Sequence, residues 1–439
     1  MNRSKSVPLA LALTGALVAL SACGGSGDTS SSASRSSGTT TVTVMTWESA
    51  ETNAAIDAAL AGFSSPGVQV KRLESPSGNY GDKLAALTQA KQLPDLFWCG
   101  NDTEQQYTQQ GLLVDWSSRF KDGGDFGPSN FVPATIDNWK TADGKMGGLP
   151  SLVNTYGIWY DADAFAKAGV PLPKAGWTWD DMFSAASKLA NRNGAKYGLV
   201  ADPLTNADGP WAMSAYSVSA GGAPLVSSIH TPDKVTVDPK FAEGVGKLAA
   251  SVQSGATAPP GYDASNAQAQ LAAGKLPMLW SGQWLAAGYL TNKPTVKVGF
   301  APMPVADAAK PTTIYDAVGI CTPSTTKNQD ATFTVLKFLN ATVMGDMLKK
   351  APVAPPAFSG AQSTYFSALD AGQLTGVTEA VRTSLGAPAT VGVRPTTTYS
   401  AQIADVVTAE WGPILQGKKP LSELTGMAQQ IDKVISSNR

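Results

Sequence analysis

Histidine is almost missing from this chain. His230 is the only one in 439 residues. A Ser-His-Asp or Cys-His nucleophile would have to use it, and a multi-histidine metal site is excluded. His230 sits in Ser-Ser-Ile-His-Thr-Pro, which reads as a solvated loop. Charge of one sign is also lacking: 33 basic residues face 34 acidic ones, for a net charge of −1. No basic field exists to attract nucleic acid or anionic lipid. Past the N-terminus no apolar run approaches the ~20 residues that cross a bilayer. Cysteine is scarce, with only Cys23, Cys99 and Cys321. The last two lie at or within likely strands, where both can simply be buried.

What is present begins at the N-terminus. Arg3 and Lys5 precede an apolar segment, Val7 to Leu20, that is too short to span a membrane. A basic start, a brief apolar core and a small-residue cleavage site describe a secretory signal. Leu20-Ser-Ala-Cys23 resembles a bacterial lipobox, which implies removal of residues 1–22 and lipidation of Cys23. Two or more acyl chains give a durable anchor, at ~0.8 kcal/mol per buried CH₂. The expected location is the extracytoplasmic face of a cell membrane. Residues 23–40 are nearly all Gly, Ser, Thr and Ala, a flexible tether with a reach of roughly 20–25 Å. The remaining ~400 residues exceed one hydrophobic core and predict two lobes.

The alternating, β-branched Thr41-Val-Thr-Val-Met-Thr predicts a strand. Thr52 to Phe63 carries helical apolar spacing, closed by Ser-Ser-Pro-Gly. Val68 to Leu73 (strand), Tyr80 to Lys91 (helix) and Asp95 to Cys99 (strand) follow. This β-α-β-α-β order points to an α/β chain with a parallel sheet flanked by helices. Such sheets place ligands beyond their carboxyl ends, here Trp47-Glu48, Glu74-Ser75 and Gly100-Asn101-Asp102. Further on, Asn154 to Asp161 predicts a strand, and Thr178 with Asp181 resembles a capping box opening a helix to Asn191. Strands are expected at 196–200, 278–280 and 296–301, and helices at 239–252, 330–340, 400–415 and 421–435.

Several segments in order resemble the extracellular solute-binding proteins of carbohydrate ABC importers, the maltose-binding-protein-like group. They are Val42-Thr-Val-Met-Thr-Trp47; Tyr80-Gly-Asp-Lys-Leu with Leu93-Pro-Asp-Leu-Phe97; Gly144-Lys-Met-Gly-Gly-Leu-Pro150; Asn154-Thr-Tyr-Gly-Ile-Trp-Tyr-Asp161; Gly274-Lys-Leu-Pro-Met-Leu-Trp-Ser-Gly-Gln-Trp284; and Phe300-Ala-Pro-Met-Pro304 with Val318-Gly-Ile320. Ser151, Ala317-Val-Gly319 and Asn154 depart from the family pattern and bear on which sugar is bound. The resemblance implies the two-lobed periplasmic-binding-protein fold of type II, with a ligand cleft between the lobes. One lobe would hold 41–150 and 306–350, the other 151–305 and 351–439. It implies a monomeric sugar receptor that serves an ABC transporter permease and needs no cofactor, metal or catalytic residue.

A sugar presents C–H faces and hydroxyl rims, so its site needs aromatic platforms and hydrogen-bonding groups. Trp47, Trp211 and Trp284 are the stacking candidates. Glu48, Asn101, Asn154, Asp316 and Arg394 are the polar ones, and Tyr156 either reaches the cleft or packs inward. For Arg394 the alternative is an interlobe salt bridge. In the family the strand holding Cys321 runs antiparallel beside the strand ending in Cys99. With Asp316 near the cleft, Cys99 should face Asp316 or Ala317, leaving Cys321 several residues deeper. At ~3.4 Å per residue that is beyond disulfide reach, so two free thiols are expected. A glycosidase, a metal- or siderophore-binding lipoprotein, and a receptor for another polyol or a peptide are the rival readings. The first would need paired carboxylates, and Glu48 has no acidic partner nearby in sequence.

Overall fold

In the computed structural model, β1 (Thr40–Met45) is an alternating strand with Val42 and Val44 turned into the core. It pairs in parallel with β2 (Val68–Leu73) and with β3 (Leu96–Gly100). The connecting helices α1 (Ala50–Leu60) and α2 (Tyr80–Gln89) complete the expected parallel unit. The structure describes residues 39–75 and 79–438. The signal segment, Cys23 and the tether as far as residue 38 lie outside the described residues.

Two long strands carry the chain from one half of the sheet to the other. They are β4 (Gly148–Asp161) and, after β5 (Leu199–Val200), β6 (Met278–Gly282) and β7 (Val298–Pro302), the strand β8 (Thr312–Cys321). The sheet order is β2-β1-β3-β8-β4-β6-β5, with β7 also on β4, and β9 (Ala389–Gly392) on β8. The first half of β4 pairs with β8, and its second half pairs with β6 and β7. Two cores form around this shared strand. One gathers Val44, Phe97, Trp98 and Ile320; the other gathers Trp179, Leu248, Trp280 and Ile431. The result is the mixed α/β architecture expected from the sequence.

Thr178 and Asp181 form the expected capping box on the helix Trp179–Leu189. The predicted strand at 196–200 contracts to two residues. The predicted strand at 154–161 instead begins at Gly148 and runs through Pro150, because a bulge between Pro150 and Leu152 absorbs the missing amide donor.

The expected free thiols are a disulfide. Cys99 and Cys321 are bonded, with Cα atoms 5.9 Å apart. The error lay in the register. Cys99 faces Gly319, not Ala317, and Cys321 faces Phe97. A shift of two residues keeps both side chains on one face and brings them into diagonal contact.

Candidate functional site

The β4–β8 ladder sets Asn154 opposite Asp316. Side chains alternate along each strand, so Leu152, Asn154 and Tyr156 share one face with Asp316 and Val318. That face lines a cavity of about 400 Å³, closed by Trp47 and Glu48 after β1, Trp284 after β6, and Val353 with Ala354. Six of the nine candidate residues therefore meet at one place: Trp47, Glu48, Asn154, Tyr156, Trp284 and Asp316.

Each is held from behind. Ser49 caps α1, and Asn53 from that helix donates its side-chain amide to the Glu48 carbonyl at 2.8 Å. This fixes the turn that carries Trp47 and Glu48. The Trp47 ring packs edge-on against Tyr80, with centroids 5.5 Å apart. Trp284 packs perpendicular to Tyr156 at 5.3 Å. The preceding Gln283 is fully buried, and its carbonyl oxygen accepts the Thr155 amide at 2.7 Å. Its amide donates to the Val153 and Val353 carbonyls. Gln283 thus ties the Trp284 turn to β4 and to the segment holding Val353.

The polar groups are short of partners. Glu48 accepts the Trp98 indole N–H at 3.2 Å, yet burial still raises its carboxyl above the usual range. Asp316 has a long 3.5 Å contact from the Asn154 amide and a backbone hydrogen bond at Ala317. Burial pushes its carboxyl up to about 6; Arg394 opposes the rise and Asp102 adds to it. Tyr156 is 6% exposed, and its hydroxyl has no hydrogen-bond partner among the described residues. The wall thus combines aromatic faces with acceptors and one free hydroxyl.

The other three candidates lie elsewhere. Trp211 lines a second cavity, of about 330 Å³, together with Asn138, His230 and Tyr315. Tyr315 neighbours Asp316 on β8 and so faces the opposite side of the ladder. Asn101 is buried and donates its amide to Asn138 at 3.1 Å. The Arg394 guanidinium lies 3.0 Å from Asp208 and 3.5 Å from Asp102, bridging segments of both halves. His230, expected to be a solvated loop residue, is half-buried, with its Nδ1 2.6 Å from the Thr396 hydroxyl.

Sequence reasoning missed Leu152, Val318, Val353 and Ala354 in the wall, and Gln283 and Tyr80 behind it. Leu152 and Val318 were recoverable from the two-residue period around Asn154 and Asp316. Val353 and Ala354 had no local signal. Among the described residues, no group of three or more His, Cys, Asp or Glu side chains is placed to hold a metal, and no helix is long and apolar enough to cross a membrane.

Residues 46–342 match the family model of the bacterial extracellular solute-binding proteins. Over 152 residues the chain is 28% identical to YcjN of Escherichia coli (strain K12), covering 34% of each protein. Over 135 residues it is 28% identical to the sn-glycerol-3-phosphate-binding periplasmic protein UgpB of Rhizobium meliloti, covering 29% of this chain and 31% of UgpB. The matches thus span about a third of the length of these curated relatives. The fold is similar to that of the ABC substrate-binding protein Lmo0181 from Listeria monocytogenes, solved with cycloalternan. There the TM-score is 0.73 at 22% identity, covering 90% of this chain and 99% of the other. The cyclic alpha-maltosyl-1,6-maltose binding protein from Arthrobacter globiformis gives 0.72 at 20% identity, with 91% and 100% covered. The architecture is the two-lobed type II periplasmic-binding-protein fold.

Proposed function

We propose, for a chain that belongs to the bacterial extracellular solute-binding protein family, the role of capture receptor for a carbohydrate, which it hands to an ABC transporter permease. The observation that carries this reading is the cavity lined together by Trp47, Tyr156 and Trp284 and by Glu48, Asn154 and Asp316. Indole and phenol rings suit the C–H faces of a pyranose, and the polar groups suit its hydroxyls. The neighbouring structures solved with cycloalternan and named for a cyclic maltosaccharide support the same ligand class.

The mechanism we infer is closure without chemistry. The lobes, 41–150 with 306–350 and 151–305 with 351–439, would move about the β4 and β8 crossings. A sugar bridging both stabilises the closed arrangement by its differential affinity for it. Micromolar capture corresponds to about −8 kcal/mol. Two aromatic contacts and several satisfied hydrogen bonds are a reasonable source. Lipidation at Cys23 and the tether to residue 40 would hold a monomer near its permease at the membrane surface.

A thermal-shift screen of mono- and oligosaccharides tests the reading, because a ligand bound only by the folded state raises the melting temperature by mass action. One class should stabilise the protein saturably, with no new products on chromatography. No stabilisation by any saccharide would end this reading, and accumulating hydrolysis products would replace it with the glycosidase.

A further inference from the structure

The cavity is short of positive charge. Its lining includes two carboxylates, Glu48 and Asp316, and no lysine, arginine or histidine. Arg394, outside the lining, is shared among Asp102 at 3.5 Å, Asp208 at 3.0 Å and the field of Asp316. One guanidinium therefore serves three aspartates around the crossing. Carboxylates only accept hydrogen bonds, so the occupant must be rich in donors. An anionic occupant would bury its charge against Glu48 and Asp316 without a partner.

The aromatic groups point the same way. Trp47, Tyr156 and Trp284 line the same cavity as the two carboxylates. Electron-rich rings beside carboxylates form an environment that favours a cation over a neutral group of the same shape. Among the described residues Asp316 has no ion-pair partner within salt-bridge distance; its hydrogen bonds are the 3.5 Å contact from the Asn154 amide and one from the Ala317 backbone. An ammonium would supply the missing charge and up to three N–H donors together.

We propose that the carbohydrate taken by this cavity bears a protonated amine, as amino sugars and their oligomers do, and that Asp316 is the carboxylate that meets the ammonium. The proposal rests on the receptor reading above and narrows its ligand. It also separates this chain from its relative named for binding sn-glycerol-3-phosphate, since a phosphate would meet only carboxylates here.

The experiment uses pairs differing only in amine against hydroxyl: D-glucosamine with D-glucose, D-galactosamine with D-galactose, and deacetylated chitotriose with cellotriose. Glucose 6-phosphate serves as the anionic control. Calorimetry at pH 7.5 should show at least one amine binding about tenfold or more tighter than its hydroxyl partner, and no heat from the phosphate. Asp316→Asn should erase the difference within that pair. As a check needing no variant, the preference should shrink in the native protein as pH falls through about 6, where Asp316 takes up its proton. Glu48, Asp102, Asp208, Arg394 and Tyr156 are the other titratable or charged groups around Asp316. If the hydroxyl member of every pair binds as well as the amine, or other neutral sugars bind and no amine does, the inference falls and the receptor reading stands. If no saccharide of any kind binds, both fall.

Discussion

Trp284 lies over Gly282, and its ring fills the space a side chain there would need. A β-carbon on Gly282 would come within 1.7 Å of the Trp284 six-membered ring. The glycine therefore sets where the indole stands against Tyr156. Gly282→Ala must push the ring off its seat. We expect this variant and Trp284→Ala to weaken sugar binding alike, by ~1–2 kcal/mol or about tenfold. Titration calorimetry on both checks this. Native affinity in Gly282→Ala would show that the indole face is not a binding surface.

The Cys99–Cys321 bond closes a loop of 222 residues and joins neighbouring strands of the same half-sheet. Long loops lose most freedom when closed, so its loss should cost ~2–5 kcal/mol. The paired Cys99→Ser, Cys321→Ser protein should melt well below the oxidised native protein. Neither cysteine lines the cavity, so sugar affinity should stay within about twofold by the same energetic scale. Denaturant unfolding and calorimetry on one preparation separate the two effects.

The sequence exposed the local elements well because their patterns are local. Alternation marked β1, and helical apolar spacing marked α1. What it hid were relations between distant segments. The disulfide depended on a two-residue register between strands more than 200 positions apart. Arg394 was legible as a charged loop residue, but its partners Asp102 and Asp208 come from two other segments. Trp211 sits in the short helix Gly209–Ala212, which the fold places on the Tyr315 side of the ladder. Six candidate residues come together at one cavity because they end strands or lie on one, where period and order determine direction. The other three candidates lie outside it, because their direction depends on packing between elements.

Arg394 is exposed and bridges Asp208 and Asp102. Exposed pairs contribute ~0–1 kcal/mol each, so Arg394→Ala should barely change the melting temperature. Its electrostatic effect should be larger. Burial raises the Asp316 carboxyl to about 6 while Arg394 pulls it down. Removing the guanidinium should therefore move Asp316 further up. Carbon-13 NMR titration of the aspartate carboxyls reads this directly. An unchanged or lower value in the variant would show that Arg394 does not act on the cavity.

Glu104 on the helix Asn101–Gln109 is fully buried. Its Oε1 accepts the Gly147 amide at 2.6 Å and the Thr108 hydroxyl at 2.9 Å, while Oε2 has no partner. Burial pushes this carboxyl up to about 8, against the pull of those two hydrogen bonds. The folded protein therefore holds a proton that the unfolded chain releases near pH 4.5. Between those values the folded state binds more protons, so Glu104 erodes stability as pH rises, by up to ~1.4 kcal/mol per pH unit, and levels off above about 8. Glu104→Gln keeps an acceptor for Gly147 and cannot ionise. Its denaturation curve should move upward relative to the native protein's as pH climbs from 5 to 8, with the gap constant beyond. Urea unfolding at five pH values measures that gap. A difference independent of pH would mean that Glu104 is ionised in the folded chain and that burial does not govern it.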